Sequence, residues 1–329
     1  MKFINNRIKF FRLLLIGIIL LLFQINFVLA QKLPTGVNIN SNSITESDYY
    51  IRIEDVIYGR KYGTALTLDA IKPKKNPNGL GIIGIVSGGY YSSHESIGPD
   101  FYKALIDRGY TIFAVVHGSQ PKYQVPEIFQ DLKRSVRFIR YNAKTFGIDP
   151  DRIGVTGGSA GGNLSLLLGT AADDGNPKSR DPIDRMSCKV QAVACFFPPT
   201  DFLNWQGLKK LDILGVDKPF RPAFQYCEMN YELNIWQFAT NEARIKELTK
   251  SISPIYFVDS SDAPTFIMHG NKDYLVPLEQ SEAIISRFKE AGVDAKLVIK
   301  EGAGHGWKDM SKDMELFADW FDKYLKSKK

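Results

Sequence analysis

Gly154-Val-Thr-Gly157-Gly158-Ser159-Ala160-Gly161-Gly162-Asn163, preceded by Arg152-Ile153 and followed by Leu164 to Leu168, is the stretch that decides the fold. Arg152 to Val155 is a short β-type run, and the apolar run after Asn163 is dense enough for a buried helix. A strand, a tight turn with glycines on both sides of a serine, and then a helix make up the G-x-S-x-G context that lifts a serine hydroxyl clear of a sheet. A serine on so sharp a turn takes a strained backbone conformation. A Cβ two positions before or after it would collide with neighbouring chain. The same turn leaves the Ala160 N–H at a helix N-terminus, where a developing negative charge is favoured.

Strands and helices alternate outward from this turn. Tyr50–Tyr58 and Ala65–Ile71 are β-rich and joined by Gly59-Arg-Lys-Tyr-Gly63, which predicts a hairpin. Leu80–Val86, Tyr110–Val116, Val190–Phe197 and Pro264–His269 read as strands, mostly buried on both faces, and Ala295–Ile299 as one more. Helical spacing covers Asp100–Arg108, Ile128–Phe146, Gln280–Ala291 and Met310–Leu325. Repeated βα alternation implies an α/β fold, a mostly parallel central sheet with helices on both faces. The pattern is interrupted over about 200–253, where Trp205, Phe220, Phe224, Tyr226, Tyr231 and Trp236 suggest a small inserted helical cap. Residues 31–49 are polar and read as a flexible lead-in, so the globular domain is expected to span 50–329.

The chain has 329 residues, 44% of them hydrophobic, which suits a large packed core. Its net charge of +6 would suit an anionic partner, but Lys2, Arg7, Lys9 and Arg12 supply four of those charges within thirty acid-free residues. No basic block with interleaved aromatics remains to follow a phosphate backbone, so no nucleic acid partner is expected. Those four residues, the apolar run Leu13–Phe23 and Val28-Leu29-Ala30 before Gln31 form a secretory signal peptide over 1–30. An uncleaved anchor is the competing reading. Contact with the membrane is expected only during export, to a secreted or periplasmic destination. The three cysteines, Cys188, Cys195 and Cys227, make neither a disulfide framework nor a metal site and read as buried thiols, although Cys227 could meet one of the others.

A serine hydroxyl is a weak nucleophile until a base takes its proton and a third group orients that base. His305 lies in the glycine-flanked loop Gly302-Ala-Gly304-His305-Gly306-Trp307 after the last strand, free to turn toward a serine at a strand end. His269 closes a strand and reads as a packed histidine, while His94 and His117 lie near strand ends where either could touch a substrate. Asp273, on the loop after the Pro264–His269 strand, shares the expected sheet edge with Ser159 and His305. Asp262 precedes that strand and should face the opposite edge, and Asp201 is the reserve acid. The chain order serine, acid, histidine is that of the α/β-hydrolase triad. Backbone donors for an oxyanion are expected from Gly88, Gly89 and Tyr90, in Ser87-Gly88-Gly89-Tyr90 after a buried strand, together with Ala160. Tyr91, His117 and Trp307 are candidate substrate contacts. No metal or cofactor is required. Gly79-Leu-Gly81-Ile-Ile-Gly84 spells G-x-G-x-x-G but opens a strand instead of following one, the wrong order for a dinucleotide site.

On these motifs the chain resembles the α/β-hydrolase superfamily from about Tyr50 onward, in the esterase branch of hormone-sensitive-lipase-like and bacterial carbohydrate acetyl and feruloyl esterases. The resemblance rests on Asp149-Pro-Asp-Arg152-Ile-Gly, Gly157-Gly-Ser-Ala-Gly-Gly162, His269-Gly-x-x-Asp273-x-x-Val-Pro277 and Gly304-His305-Gly-Trp307. One departure is Ser87, which stands where relatives have the histidine of His-Gly-Gly; the backbone donors survive that change. The resemblance implies a serine ester hydrolase removing acetyl or feruloyl groups from polysaccharides. The alternatives are a prolyl-oligopeptidase-type peptidase and a catalytically silent binding protein of the same fold.

Overall fold

The computed structural model describes residues 43–205, 208–209 and 221–326. The expected signal peptide, residues 31–42 of the lead-in and part of the inserted segment, Phe220 included, lie outside them.

Nine strands form one sheet: β1 (Ile44–Glu46), β2 (Tyr50–Lys61), β3 (Thr64–Pro73), β4 (Gly81–Val86), β5 (Thr111–Val116), β6 (Ile153–Gly158), β7 (Ala192–Phe196), β12 (Thr265–Gly270) and β13 (Ala295–Lys300). Their order across the sheet is β1-β2-β3-β5-β4-β6-β7-β12-β13. The pairs from β1 to β5 are antiparallel, and those from β5 to β13 are parallel. Every residue of β4, β7 and β12 is buried, so apolar side chains on both faces need covering layers. Helices α2 (Val125–Tyr141), α3 (Ala160–Thr170) and α5 (Leu278–Glu290) cover one face through Ile128, Leu132, Leu164, Leu168, Ile284 and Phe288. The other face packs on α1 (Lys103–Asp107) and α6 (Met310–Phe321) through Leu105, Ile106, Met314, Phe317 and Phe321. The expected α/β layering is present.

Three boundaries differ from expectation, each for a local reason. The sheet begins inside the segment read as flexible, because Ile44 to Glu46 pair with Ile53 to Ile51 as an edge strand. Helix α2 starts three residues early, since Gln124 and Glu127 form a capping box around Pro126; it stops at Tyr141, before a separate turn, Ala143–Phe146. The inserted segment is not simply helical. Besides α4 (Glu242–Ser251) and a single turn at Arg221–Phe224, it contains the short pair β8 (Asn204–Trp205) and β9 (Leu208–Lys209) and the hairpin β10 (Cys227–Asn230) and β11 (Ile235–Phe238). The Asn230 side chain accepts the N–H groups of Glu232 and Leu233, and Asn234 takes φ 57°, which closes a turn where a helix was expected. Phe224 and Tyr226 are buried, whereas Tyr231 and Trp236 face solvent.

The parallel strands all end at one rim. The loops after β4, β5, β6, β7, β12 and β13 meet there, which gathers residues from across the sequence.

Candidate active site

Ser159 sits between β6 and α3 with φ 55° and ψ −120°, a conformation that costs a non-glycine residue on the order of 1–3 kcal/mol. Neighbouring backbone holds it there. Its N–H donates to the Phe196 carbonyl at 3.0 Å, and its carbonyl accepts the Asn163 N–H at 2.9 Å. A Cβ on Gly157 would lie 2.5 Å from the Gly161 carbonyl oxygen, and one on Gly161 would lie 3.0 Å from that of Ile85. The two glycines flanking the serine at two residues' distance are therefore required by backbone crowding.

The Ser159 hydroxyl lies 2.8 Å from His305 Nε2, and His305 Nδ1 lies 2.7 Å from Asp273 Oδ2. A carboxylate only accepts, so Nδ1 carries the proton and donates it, leaving the Nε2 lone pair for the serine O–H. The imidazole rests on Phe197, with ring centroids 4.4 Å apart. Asp273 is held from several sides. Burial alone would raise its pKa, but contacts from His269 and His305 and the Val276 N–H outweigh that and hold it well below the usual carboxylate range. Oδ1 accepts the N–H groups of Leu275 and Val276, each at 2.9 Å. His269 Nε2 donates to the Val276 carbonyl at 2.9 Å and stands 3.3 Å from Asp273 Oδ2, and its Nδ1 accepts the Ser281 hydroxyl at 2.7 Å. This fully buried histidine braces the loop that carries the acid.

Gly88 and Tyr91 pair through two hydrogen bonds, Gly88 N–H to Tyr91 O at 3.0 Å and Tyr91 N–H to Gly88 O at 2.9 Å. Gly89 and Tyr90 between them have φ 54° and 65°, the positive values a type I′ turn requires at both central positions. This corrects one expectation: the Gly88 N–H is spent inside the turn and is no oxyanion donor. Among the described residues the N–H groups of Gly89, Tyr90 and Ala160 have no protein acceptor. Tyr90 is buried, and its hydroxyl donates to Asn163 Oδ1 at 3.2 Å, joining the turn to α3. The Ser87 hydroxyl is buried with no partner among the described residues.

Residues 68–288 match the BD-FAE family. The chain belongs to that family. It is 28% identical over 188 residues to esterase LipQ of Mycobacterium tuberculosis, covering 57% of this chain and 40% of LipQ. It is 25% identical over 251 residues to the probable carboxylic ester hydrolase LipM of the same organism, covering 73% of this chain and 52% of LipM. The chain thus spans about half the length of these two curated relatives. A truncated carbohydrate esterase from gut microbiota superposes with a TM-score of 0.67 at 24% identity, over 85% of this chain and 99% of that one. An acetyl ester-xyloside bifunctional hydrolase from Caldicellulosiruptor lactoaceticus gives 0.63 at 25%, over 82% and 93%. The fold is that of the α/β-hydrolases, in their esterase and lipase branch.

Not every expected site residue of this BD-FAE member lies where substrate would reach it. Tyr91, half exposed at the outer end of the turn, remains available. His117 does not. It is buried, its Nδ1 donates to the Gly118 carbonyl at 2.7 Å, and burial lowers its pKa to about 4. Trp307 packs against Phe196 and Phe197, and its indole N–H donates to Asp313, so it supports the His305 loop from below. Asp201 accepts the N–H groups of Leu203 and Asn204 and the Tyr256 hydroxyl; it organises a loop and does not meet His305. His94 stands 3.3 Å from Asp69, near Asp55; Arg52 already pairs with Asp69 at 2.6 Å, which accounts for that buried charge without an ion. All three cysteines are free. Sequence reasoning missed Phe197, a non-glycine residue at φ 34° on which the His305 ring rests. Nothing in the sequence marks it beyond its place just after a buried strand.

Proposed function

We propose that this protein is an exported serine carboxylesterase that removes small acyl groups, acetyl or feruloyl, from polysaccharides. The observation that carries the reading is the hydrogen-bonded chain Ser159–His305–Asp273. Ser159 Oγ attacks the ester carbonyl carbon as its proton passes to His305 Nε2, and Asp273 holds the imidazolium that forms. The oxyanion is received by the N–H groups of Ala160, Gly89 and Tyr90. The carbon–oxygen bond to the alcohol then breaks, and the alcohol leaves with the proton from Nε2. Water attacks the acyl-enzyme, gives a proton to His305, and the acid departs as Ser159 regains its hydrogen.

Relatives and structural neighbours named as esterases and carbohydrate esterases support the ester class and the sugar-linked substrate. The exposed aromatics Tyr91, Trp236 and Tyr231 suit stacking on sugar or phenolic rings. Hydrolysis of p-nitrophenyl acetate by the purified protein is the expected result, with a loss of about a millionfold in Ser159→Ala. Undiminished turnover in that variant overturns the reading. A panel of acetylated xylan, methyl ferulate and medium-chain acyl esters tests the substrate class, and preference for the medium-chain esters counts against polysaccharide. Faster cleavage of a peptide anilide than of any ester favours the peptidase alternative. A mature N-terminus at Gln31, read by intact mass, is the expected mark of export, and a retained Met1 argues against it.

A further inference from the structure

We propose that Gln120, on the loop after β5, is a positioning residue for the oxyanion hole, setting the direction of the Tyr90 N–H by holding the carbonyls of both central residues of the Gly88–Tyr91 turn. The inference rests on the esterase reading of the site. The Gln120 side-chain amide donates from Nε2 to the Gly89 carbonyl at 2.6 Å, and its backbone N–H donates to the Tyr90 carbonyl at 3.1 Å. In a trans peptide the C=O and the following N–H point to opposite sides of one rigid plane. Fixing the Gly89 carbonyl therefore fixes the Tyr90 N–H on the other side. The Tyr91 N–H to Gly88 carbonyl bond does the same for the Gly89 N–H.

This needs a firm support, because both central residues of the turn have positive φ and one of them is a tyrosine. Gln120 is such a support. It is 2% exposed, and its loop is tied to the scaffold through the Gly118 N–H to Asp131 Oδ2 at 3.0 Å, with Lys61 paired to Asp131 at 2.8 Å. The amide has only one workable orientation, since rotating it would set Oε1 against the Gly89 oxygen. In that orientation Oε1 has no hydrogen-bond partner among the described residues, so the contact to Gly89 is what the side chain is placed to make. A second link between the two loops, the Ser92 N–H to Ser119 Oγ at 2.9 Å, bypasses both carbonyls and provides the internal control.

The test measures p-nitrophenyl acetate turnover and inhibition by phenylboronic acid, whose tetrahedral adduct on Ser159 places an anionic oxygen in the hole. Outright loss of one such donor lowers turnover about 10²–10³-fold; for Gln120→Met, which keeps the apolar stem, the expected fall in kcat is about 10- to 100-fold with KM nearly unchanged. The inhibition constant for phenylboronic acid should rise by a similar factor. Gln120→Leu, similar in volume but with no donor at all, should lose at least as much. Ser119→Ala should stay within about twofold of wild type in both measurements. Wild-type kcat and boronate affinity in folded Gln120→Met or Gln120→Leu protein overturns the proposal, as does an equal loss in Ser119→Ala or a loss confined to KM. A wild-type protein that neither turns over the ester nor binds the boronate overturns the underlying esterase reading instead.

Discussion

Strand β12 has an aspartate near each end, and the two behave in opposite ways. Asp262, two residues before the strand's preceding proline, is half-buried, accepts the Asp259 N–H and faces the Asp259 charge; burial pushes its pKa up to about 7. Asp273, three residues after the strand, is at least as buried, yet its pKa is held well below the usual range. Burial is therefore not what distinguishes them. The difference is the number of donors aimed at the carboxylate: two backbone N–H groups and the His305 imidazole at one end, with His269 Nε2 a further 3.3 Å neighbour, and one backbone N–H at the other. A rim that must hold a charge in place for chemistry is built with fixed donors, and the opposite rim is not.

Removing the charge at the braced end should have the largest effect. Asp273→Asn keeps the size of the side chain but can hold His305 in the wrong tautomer, and ester turnover should fall about ten-thousandfold. A fall of less than tenfold would show that another group orients the imidazole. The carboxylate itself does not titrate in the working range. Its folded pKa lies below the unfolded value of about 3.9, so its stabilisation is complete above that pH and lost only in stronger acid. Any acid limb in activity between pH 5 and 7 should therefore survive conservative changes around Asp273.

The serine's support is the next way to sharpen the contrast. A Cβ at Gly157 meets backbone oxygen at 2.5 Å, so Gly157→Ala must displace the start of α3 or the turn. A displacement near 1 Å costs about a hundredfold in turnover, and overpacking costs about 1–3 kcal/mol of stability. Gly158→Ala is the comparison, because its nearest atom, Phe197 Cε2, lies at an ordinary 3.5 Å. Equal losses in both would mean that crowding is not what selects glycine at 157.

The rim was legible in the sequence because its logic is topological. A parallel sheet carries every βα loop to one edge, so placing Ser159, Asp273 and His305 after their strands was enough to predict that they would meet. What escaped notice depended on side-chain and hydrogen-bond detail with no sequence period. Ser87-Gly88-Gly89-Tyr90 identified the donor loop, but a tyrosine at positive φ does not announce a type I′ turn, and without the turn the fate of the Gly88 N–H is invisible. His117 and Trp307 sit at the expected strand ends, yet one faces inward and the other packs on Phe196 and Phe197. The β10–β11 hairpin hid because its aromatics were as compatible with a covering helix as with an exposed strand pair.

His117 offers a smaller effect, on stability. Its folded pKa of about 4 lies below the ordinary value of 6.5 because burial disfavours the charged ring. The unfolded chain therefore binds more protons between those values, so stability is full above pH 6.5 and falls as pH drops toward 4. The loss attributable to this residue is on the order of 3 kcal/mol. His117→Gln should flatten that part of the stability–pH curve measured by thermal melts, whatever it costs at neutral pH. An unchanged slope would place the acid sensitivity elsewhere.

The smallest effect belongs to the end of β12 that lacks donors, and it should have the opposite sign. Asp262 has a raised folded pKa, so the folded state binds its proton more tightly than the unfolded chain does, and stability declines as pH rises from about 3.9 toward 7. Asp262→Asn removes the ionising group while its side-chain carbonyl still accepts the Asp259 N–H. Because the site is only half-buried, solvent screening limits the gain to about 1 kcal/mol or less. That is a rise of a few degrees in Tm at pH 8 and none at pH 4. The same exchange of carboxylate for amide should thus disable the molecule at one end of the strand and slightly stabilise it at the other. A loss of stability at pH 8 in Asp262→Asn would mean that the ionised carboxylate has a stabilising partner at that rim, and that donor number does not separate the two ends.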